Sequence, residues 1–406
     1  MILNVKSVSY LRGQIQLPAS KSFSIRASII SAFGKSQIKH SSNCEDAIVA
    51  SQVTSALVKK SKIYFVGESG TTLRFLLPLL PLFVNKAVVK GRGTLIGRPN
   101  AHLCQALRDA GMDISGKGSQ ESVPIVYHGG QINGGFIKID GSLSSQFISA
   151  LLIAAPSFKK DSRILITGKD MVSKDYIVMT LQILSRAGVK IQRISQREFI
   201  IKGNQTFKGL KNFVVPSDYG LAAFSMAAAA LLPSKVRLKG NLKKDFIQAD
   251  GKILDFMIRM GVEFKKTHQG ITMQGPFRLK GGIFSLKDCP DLAPIMAVLA
   301  LFAKGQTQLV DIFHARIKES DRISDVRKEL LKVGADIKET SNALIINPKE
   351  SYKSNQLLDS HNDHRLAMAW TVLGMKINCR VQGIESCRKS YPDFVKDMKS
   401  LGLSNR

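Results

Sequence analysis

Apolar positions along this chain fall into short runs that recur at a nearly constant interval. Four segments share one pattern, in which an amphipathic stretch ends at glycine and an alternating apolar stretch follows. They are Leu107–Ile114, Leu184–Ile191, Met257–Phe264 and Leu330–Ile337, with glycines at 111, 188, 261 and 334, hence steps of 77, 73 and 73 residues. A glycine at such a junction suits the left-handed cap that ends a helix before the next strand. A second series keeps step with the first. Short polar residues at Ser69–Thr72, Leu143–Gln146, Pro216–Tyr219, Cys289–Leu292 and Asn362–Arg365 each open a run of small and aliphatic residues. Gly70, Ser144, Asp218, Asp291 and Asp363 stand 74, 74, 73 and 72 residues apart. A sixth opening, Ala19–Ser22, precedes Gly70 by 50 residues. Short strands, such as Lys62–Val66 and Ala343–Ile346, lie between the helices.

The pattern predicts six α/β units over 406 residues. Solenoid repeats are shorter, roughly 20 to 45 residues, so units of this size are expected to close into compact domains of three, with a boundary near Pro216. The most apolar run, Leu221–Leu232, is alanine-rich and follows Pro216-Ser217-Asp218. It is shorter than the ~18 residues a membrane span needs and reads as a buried helix. The N-terminal residues show no secretory apolar core, and the five cysteines form no C-x-x-C pair. Both features predict a soluble cytoplasmic protein with reduced thiols and no membrane partner.

The helix openings carry the candidate chemistry. Lys21, Arg26, Arg74, Gln146, Asp291, His364 and Arg365 all fall in the first turns of apolar helices, where burial is costly without partners. Capping explains any one of them. Several helix N-termini aimed at one place would instead form an anion site, with Lys and Arg gripping phosphate or carboxylate. Gly91–Pro99 is glycine-rich around arginine but is neither a Walker loop nor a dinucleotide fingerprint. Arg316–Arg322 is dense in charge, which by itself reads as a solvated helix start. The histidines show no metal-ligand spacing, so no metal is expected.

Composition adds a net charge of +28 from 59 basic and 31 acidic residues. A charge of this size raises nucleic acid as a partner. Lysines are dispersed, no basic stripe with interleaved aromatics is visible, and aromatics are 7%. An anionic substrate or a generally basic proteome would account for it equally, so the charge by itself assigns no function, and no nucleic-acid partner is expected.

These motifs, in this order and across nearly the whole chain, resemble the EPSP synthase family. The resemblance is carried by Leu17–Ala27, Glu68–Arg74, Gly97–Pro99, Gly141–Phe147, Met171–Tyr176, Pro290-Asp291, Arg316–Arg322, Asn362–Met368 and Lys389–Asp393. It implies an enolpyruvyltransferase-like α/β fold: two similar domains, each of three repeated βαβαββ-type units, an inside-out α/β barrel. One domain would be residues 1–19 with 217–406, on the phosphoenolpyruvate side and holding the acid and base. The other would be 20–216, on the shikimate 3-phosphate side. Hinges would lie near 19–20 and 216–217, and helix N-termini would converge on the cleft.

The resemblance also implies roles. Lys21, Ser22, Arg26, Ser144, Ser145, Gln146, Ser173, Asp291, His314 and Lys318 would bind shikimate 3-phosphate. Lys21, Gly70, Arg98, Gln146, Arg322, Arg365 and Lys389 would bind phosphoenolpyruvate. Asp291 would act as base toward the hydroxyl and Glu319 as acid toward the methylene carbon, with Lys21 a rival proton carrier. The reaction would be enolpyruvyl transfer in aromatic amino-acid biosynthesis, by a monomer without metal or organic cofactor.

Five positions depart from the family's usual residues: His314 for Asn, Ala19 for Gly, Ile25 for Asn, and Gly220-Leu221 for small hydroxyl residues. Two rival readings differ from this chain at particular residues. The UDP-N-acetylglucosamine enolpyruvyltransferases open with Lys-Asn, where this chain has Lys21-Ser22, and use a loop cysteine that Cys104 matches poorly. A non-catalytic basic nucleic-acid binder would be expected to lose its acid and base groups, yet Asp218, Asp291, Glu319 and Asp363 are all present.

Overall fold

The structure, a computed structural model, describes residues 1–404 apart from Lys244. The chain forms two compact units, Met1–Ala19 with Pro216–Arg406, and Ser20–Val215. Six helices begin where the second sequence series places them. They are α1 (Lys21–Ile30), α2 (Gly70–Leu76) and α3 (Ser145–Ala154) in the continuous unit, and α4 (Tyr219–Leu231), α5 (Ala293–Leu301) and α6 (His364–Ile377) in the other. Every residue of α4 and α5 is buried. Their alanine and short aliphatic side chains suit a helix enclosed on all sides rather than one with a polar face. The outer helices are amphipathic, as on Lys252–Arg259, where Ile253, Phe256 and Met257 are buried.

One sheet pattern recurs four times. Ile63–Phe65 pairs parallel with Ala87–Lys90, which pairs antiparallel with Ser122–Gly130, itself antiparallel to Met112–Lys117. The same order recurs in the sheet from Gly135–Asp140 to Ile191–Arg193. In the other unit it recurs in the sheets beginning at Leu11–Gln16 and at Lys280–Ser285. A buried helix runs into the second strand of each parallel pair, as parallel strands require a crossover; in the pair Leu11–Gln16 and Ser234–Lys239 the residues 20–215 also intervene before α4. An outer helix and a hairpin complete each βαβαββ unit.

The third sheet of each unit is reduced. In the discontinuous unit, Gln356–Asp359 and Cys379–Gln382 pair parallel, and the chain's first strand, Ile2–Val5, adds antiparallel to the second. In the continuous unit, Ile38–Lys39 pairs parallel with Phe213–Val214. The four repeat glycines end the outer helices with φ of +105° at Gly111, +84° at Gly188, +86° at Gly261 and +81° at Gly334. These are the left-handed caps expected from the sequence.

Candidate active site

In the discontinuous unit the polar ends of α4, α5 and α6 meet around two buried arginines. Arg322 is fully buried. Its Nε donates to Asp363 Oδ2 at 2.7 Å, Nη1 to Asp291 Oδ1 at 2.6 Å, and Nη2 to Glu319 Oε2 at 2.9 Å. Arg365, in the first turn of α6, donates from Nη1 to the carbonyl of Gly220 on α4 at 3.0 Å and from Nη2 to Asp291 Oδ2 at 2.9 Å. Asp291 is thus held by one arginine on each oxygen. Asp363 is the N-cap of α6, accepting from the Arg365 backbone N–H, so one carboxylate both starts the helix and orients Arg322.

Burial alone would raise the Asp291 pKa, but Arg365, Arg322 and Lys318 hold its carboxyl far below the usual carboxylate range. Asp250 behaves oppositely. It is nearly enclosed, its Oδ2 is 3.5 Å from Arg365 Nη2, and burial raises its pKa, with Asp291 and Asp218 adding to the rise against the pull of Arg365. Gly220 has to be glycine here, because a Cβ on it would come within 2.1 Å of Asp250 Oδ2 and 2.8 Å of Arg365 Nη1.

His314 is fully buried on the short turn Phe313–Ile317, and burial, reinforced by Lys318, lowers its pKa to about 3. It is therefore neutral near pH 7. Lys389 Nζ donates to the carbonyl of Asn362 at 2.7 Å, which places it at the start of α6. The charged run Arg316–Arg322 is not the solvated helix start that its composition suggests. Helix begins only at Ser324, and the run turns Glu319 and Arg322 inward.

In the continuous unit the openings of α2 and α3 join through side chains. Arg74 Nη1 donates to Gln146 Oε1 at 2.6 Å, and Gln146 Nε2 donates to Thr71 Oγ1 at 3.0 Å. Ser144 caps α3 through the Gln146 N–H, and Ser145 is buried beside it. Gly70 lies against Arg98, where a Cβ would stand 3.0 Å from Nη1 and 3.1 Å from Cζ. Lys21, the first residue of α1, is 3.0 Å from Asp46 Oδ2, and Ser22 follows it, half-buried. Ser173 holds a left-handed conformation, φ +56°, at the start of helix Lys174–Arg186. Arg26 is deeply buried and donates to Thr180 Oγ1 and to the carbonyls of Ser22 and Tyr176, so those donors are engaged inside the unit.

A family model for EPSP synthase (3-phosphoshikimate 1-carboxyvinyltransferase) matches residues 33–398. The chain belongs to the EPSP synthase family. Among its curated relatives is a 3-phosphoshikimate 1-carboxyvinyltransferase of Methanococcus maripaludis, 34% identical over 99% of both chains. Another, from Clostridium beijerinckii, is 34% identical over 97% of this chain and 95% of its own. Among solved structures, EPSP synthase from Acinetobacter baumannii aligns with a TM-score of 0.79 at 22% identity, over 99% of this chain and 98% of that one. The enolpyruvyl transferase NikO from Streptomyces tendae aligns at 0.80 and 15%, over 100% and 98%. These two likenesses establish an enolpyruvyltransferase-like α/β fold.

Within this EPSP synthase family member, sequence reasoning overlooked Asp250 and gave Asp363 and Arg74 no place in the site. An Asp in the turn Ala249–Gly251, just before helix Lys252–Arg259, reads as an ordinary first-turn acid. Only the fold brings it to Arg365. Arg74 and Asp363 were visible as charged groups at helix openings, and the signal for their roles was their burial. Cys104 is fully buried in helix Ala101–Asp109, unlike the loop cysteine of the rival family. No helix among the described residues is long and apolar enough to cross a membrane.

Proposed function

We propose that the chain transfers the enolpyruvyl group of phosphoenolpyruvate to the 5-hydroxyl of shikimate 3-phosphate and releases phosphate. The observation that carries this reading is Asp291, a carboxylate clasped by two buried arginines with Glu319 bonded to one of them. An anionic substrate that draws Arg322 and Arg365 onto itself would relieve Asp291 of both partners and restore its basicity. Substrate binding and base activation are then one event.

Asp291 removes the hydroxyl proton as the oxygen bonds to C2 of phosphoenolpyruvate, while Glu319 delivers a proton to C3. In the second half C3 returns that proton to Glu319, the double bond re-forms as the bond between C2 and the bridging phosphate oxygen breaks, and the leaving phosphate takes the proton from Asp291. Arg322, Arg365, Lys389, Arg98 and Lys21 stabilise the charge on the departing group, with Gly70 leaving room and Gln146 alongside. Lys21 also serves as a second proton carrier. Ser144, Ser145 and Ser173 take the 3-phosphate, and Ser22 and Arg26 the carboxylate. His314 and Lys318 sit by the reacting hydroxyl.

The unit Ser20–Val215 is assigned the shikimate 3-phosphate and the other unit the acid–base chemistry, in a cytoplasmic monomer. The test is phosphate release on mixing the folded protein with both substrates. Release that requires both supports the reading; no release at saturation overturns it.

A further inference from the structure

One sheet of the discontinuous unit turns a strongly cationic face to solvent, with Glu263 at its margin just before Phe264–Thr267. Register places Lys235 opposite Arg12, Arg237 opposite Gln14 and Thr272, Lys239 opposite Gln16, and Lys265 opposite Thr272. Alternate residues of a strand share a face. Arg12, Lys235, Arg237, Lys239 and Lys265 therefore share one surface with glutamines and threonines. Leu11, Ile15, Val236, Leu238 and Ile271 point the other way, into the core beneath α4. Four of the five cations are exposed and Lys239 is partly so. None of the five forms an ion pair among the described residues. Arg12, Lys235, Arg237 and Lys265 line an open cavity of about 620 Å³.

The repeated fold supplies its own control. The equivalent face of the sheet starting at Gly135–Asp140 carries exposed Phe136, and its Arg163 is neutralised by Glu198 at 2.7 Å. The sheet starting at Lys280–Ser285 shows exposed Ile283, with Asp336 beside Lys338. The sheet starting at Ile63–Phe65 shows exposed Ile63 and Phe65, with Asp113 exposed on the strand at its opposite edge. Fold position alone therefore does not make such a face basic, and here the strand residues Leu11–Gln16, Ser234–Lys239, Phe264–Thr267 and Gly270–Met273 contain no carboxylate among the five cations.

We propose, against the sequence expectation of no nucleic-acid partner, that this face docks the sugar-phosphate backbone of a nucleic acid, because strand pairing gathers cations that are dispersed along the chain. Four strands about 4.8 Å apart, with outward positions over about 13 Å, match a length of duplex that presents roughly eight phosphates. Arginine forks suit phosphate bidentately, lysines add point charge, and the Thr and Gln side chains donate further hydrogen bonds. No outward position of the four strands is aromatic, so contact is to the backbone and independent of sequence. It also lacks the central apolar anchor of a protein docking site. The surface lies on the opposite side of its sheet from α4 and does not depend on the proposed reaction.

The experiment is fluorescence anisotropy of the full chain with labelled RNA and DNA duplexes of about 20 base pairs, between about 50 and 200 mM KCl. Neutralising five phosphates gives a slope of log Kobs against log salt of about −4.5. Arg12→Gln/Lys235→Gln/Arg237→Gln/Lys265→Gln should weaken binding at least tenfold and flatten the slope by about 3.6. The control set Lys90→Gln/Lys138→Gln/Lys304→Gln/Lys338→Gln removes equal charge from the sister sheets and should change affinity less than about twofold, with the urea-unfolding midpoint unchanged in both sets as the check on folding. Equal losses from both sets would overturn the proposal, as would a wild-type Kd weaker than about 0.1 mM at the higher salt. Tighter capture of polyglutamate or of phosphatidylserine-rich vesicles than of either duplex would also overturn it.

Discussion

Arg322 and Asp363 form a two-point ion pair inside the discontinuous unit. Nε donates to Oδ2 at 2.7 Å and Nη2 to Oδ1 at 3.2 Å, with both side chains essentially inaccessible to water. Each would be costly to bury alone, and together they fix the guanidinium that also holds Asp291 and Glu319. Asp363→Ala leaves that arginine's charge without its best partner and removes the cap of α6. We expect a loss of about 3–5 kcal/mol in stability by urea unfolding. A loss under about 1 kcal/mol would show that the pair orients the site without supporting the fold.

Asp291→Ala should lower turnover by at least about a hundredfold, the usual scale for losing a general base. Near-normal rates would remove Asp291 from the mechanism. Because its folded pKa is depressed, Asp291 contributes stability that is present above its unfolded pKa of about 4 and lost as pH falls through the folded value. The stability gap between wild type and Asp291→Asn should therefore narrow on acidification below about pH 4. A gap that widens there would contradict the clasp by two arginines.

Asp250 carries the opposite sign. Its pKa is raised to about 7 by burial, so its stabilising contribution is complete below about pH 4 and fades as pH rises toward 7. Asp250→Asn, which cannot ionise, should be destabilised relative to wild type at acid pH less and less as pH approaches neutrality. The comparison is urea unfolding from pH 4 to pH 7. Since Asp250 flanks Arg365, Asp250→Ala should also raise the KM for phosphoenolpyruvate more than it lowers kcat; a pure kcat effect would argue against positioning.

Gly70→Ala pushes a methyl group against the Arg98 guanidinium, where the Cβ would stand 3.0 Å from Nη1. The arginine has to yield by a few tenths of an ångström, so the KM for phosphoenolpyruvate should rise roughly tenfold, a cost near 1.4 kcal/mol, while the fold is unaffected. Unchanged kinetics would place Arg98 away from that substrate.

Ser144→Ala/Ser145→Ala should weaken shikimate 3-phosphate binding more than phosphoenolpyruvate binding, as read by calorimetry with each ligand. Equal losses would contradict the assignment of the 3-phosphate. Ser144 also caps α3 through the Gln146 N–H, so unfolding of the variant should be measured alongside, with about 1 kcal/mol expected from the cap alone.

Much of this architecture was written in local pattern. The glycines at 111, 188, 261 and 334 require a backbone conformation that other residues resist, and the polar openings before α1 to α6 begin helices whose apolar runs have no wet face. Periodicity therefore exposed six units, and the motifs at their openings exposed the family. The continuous unit's third sheet was harder to see, because Ile38–Lys39 and Phe213–Val214 are two residues each and lie far apart in sequence.

What the chain's sequence determined by itself was the repeated α/β unit and the identity of the groups at each helix start, because capping, glycine φ and hydrophobic period are short-range effects. Partnership was decided only in three dimensions. Asp250 meets Arg365 across 115 residues, and Arg12 meets Lys235 only through strand pairing. No local rule anticipates either contact. Electrostatic energy depends on distance and burial, and both are properties of the packed fold rather than of neighbouring positions in the chain.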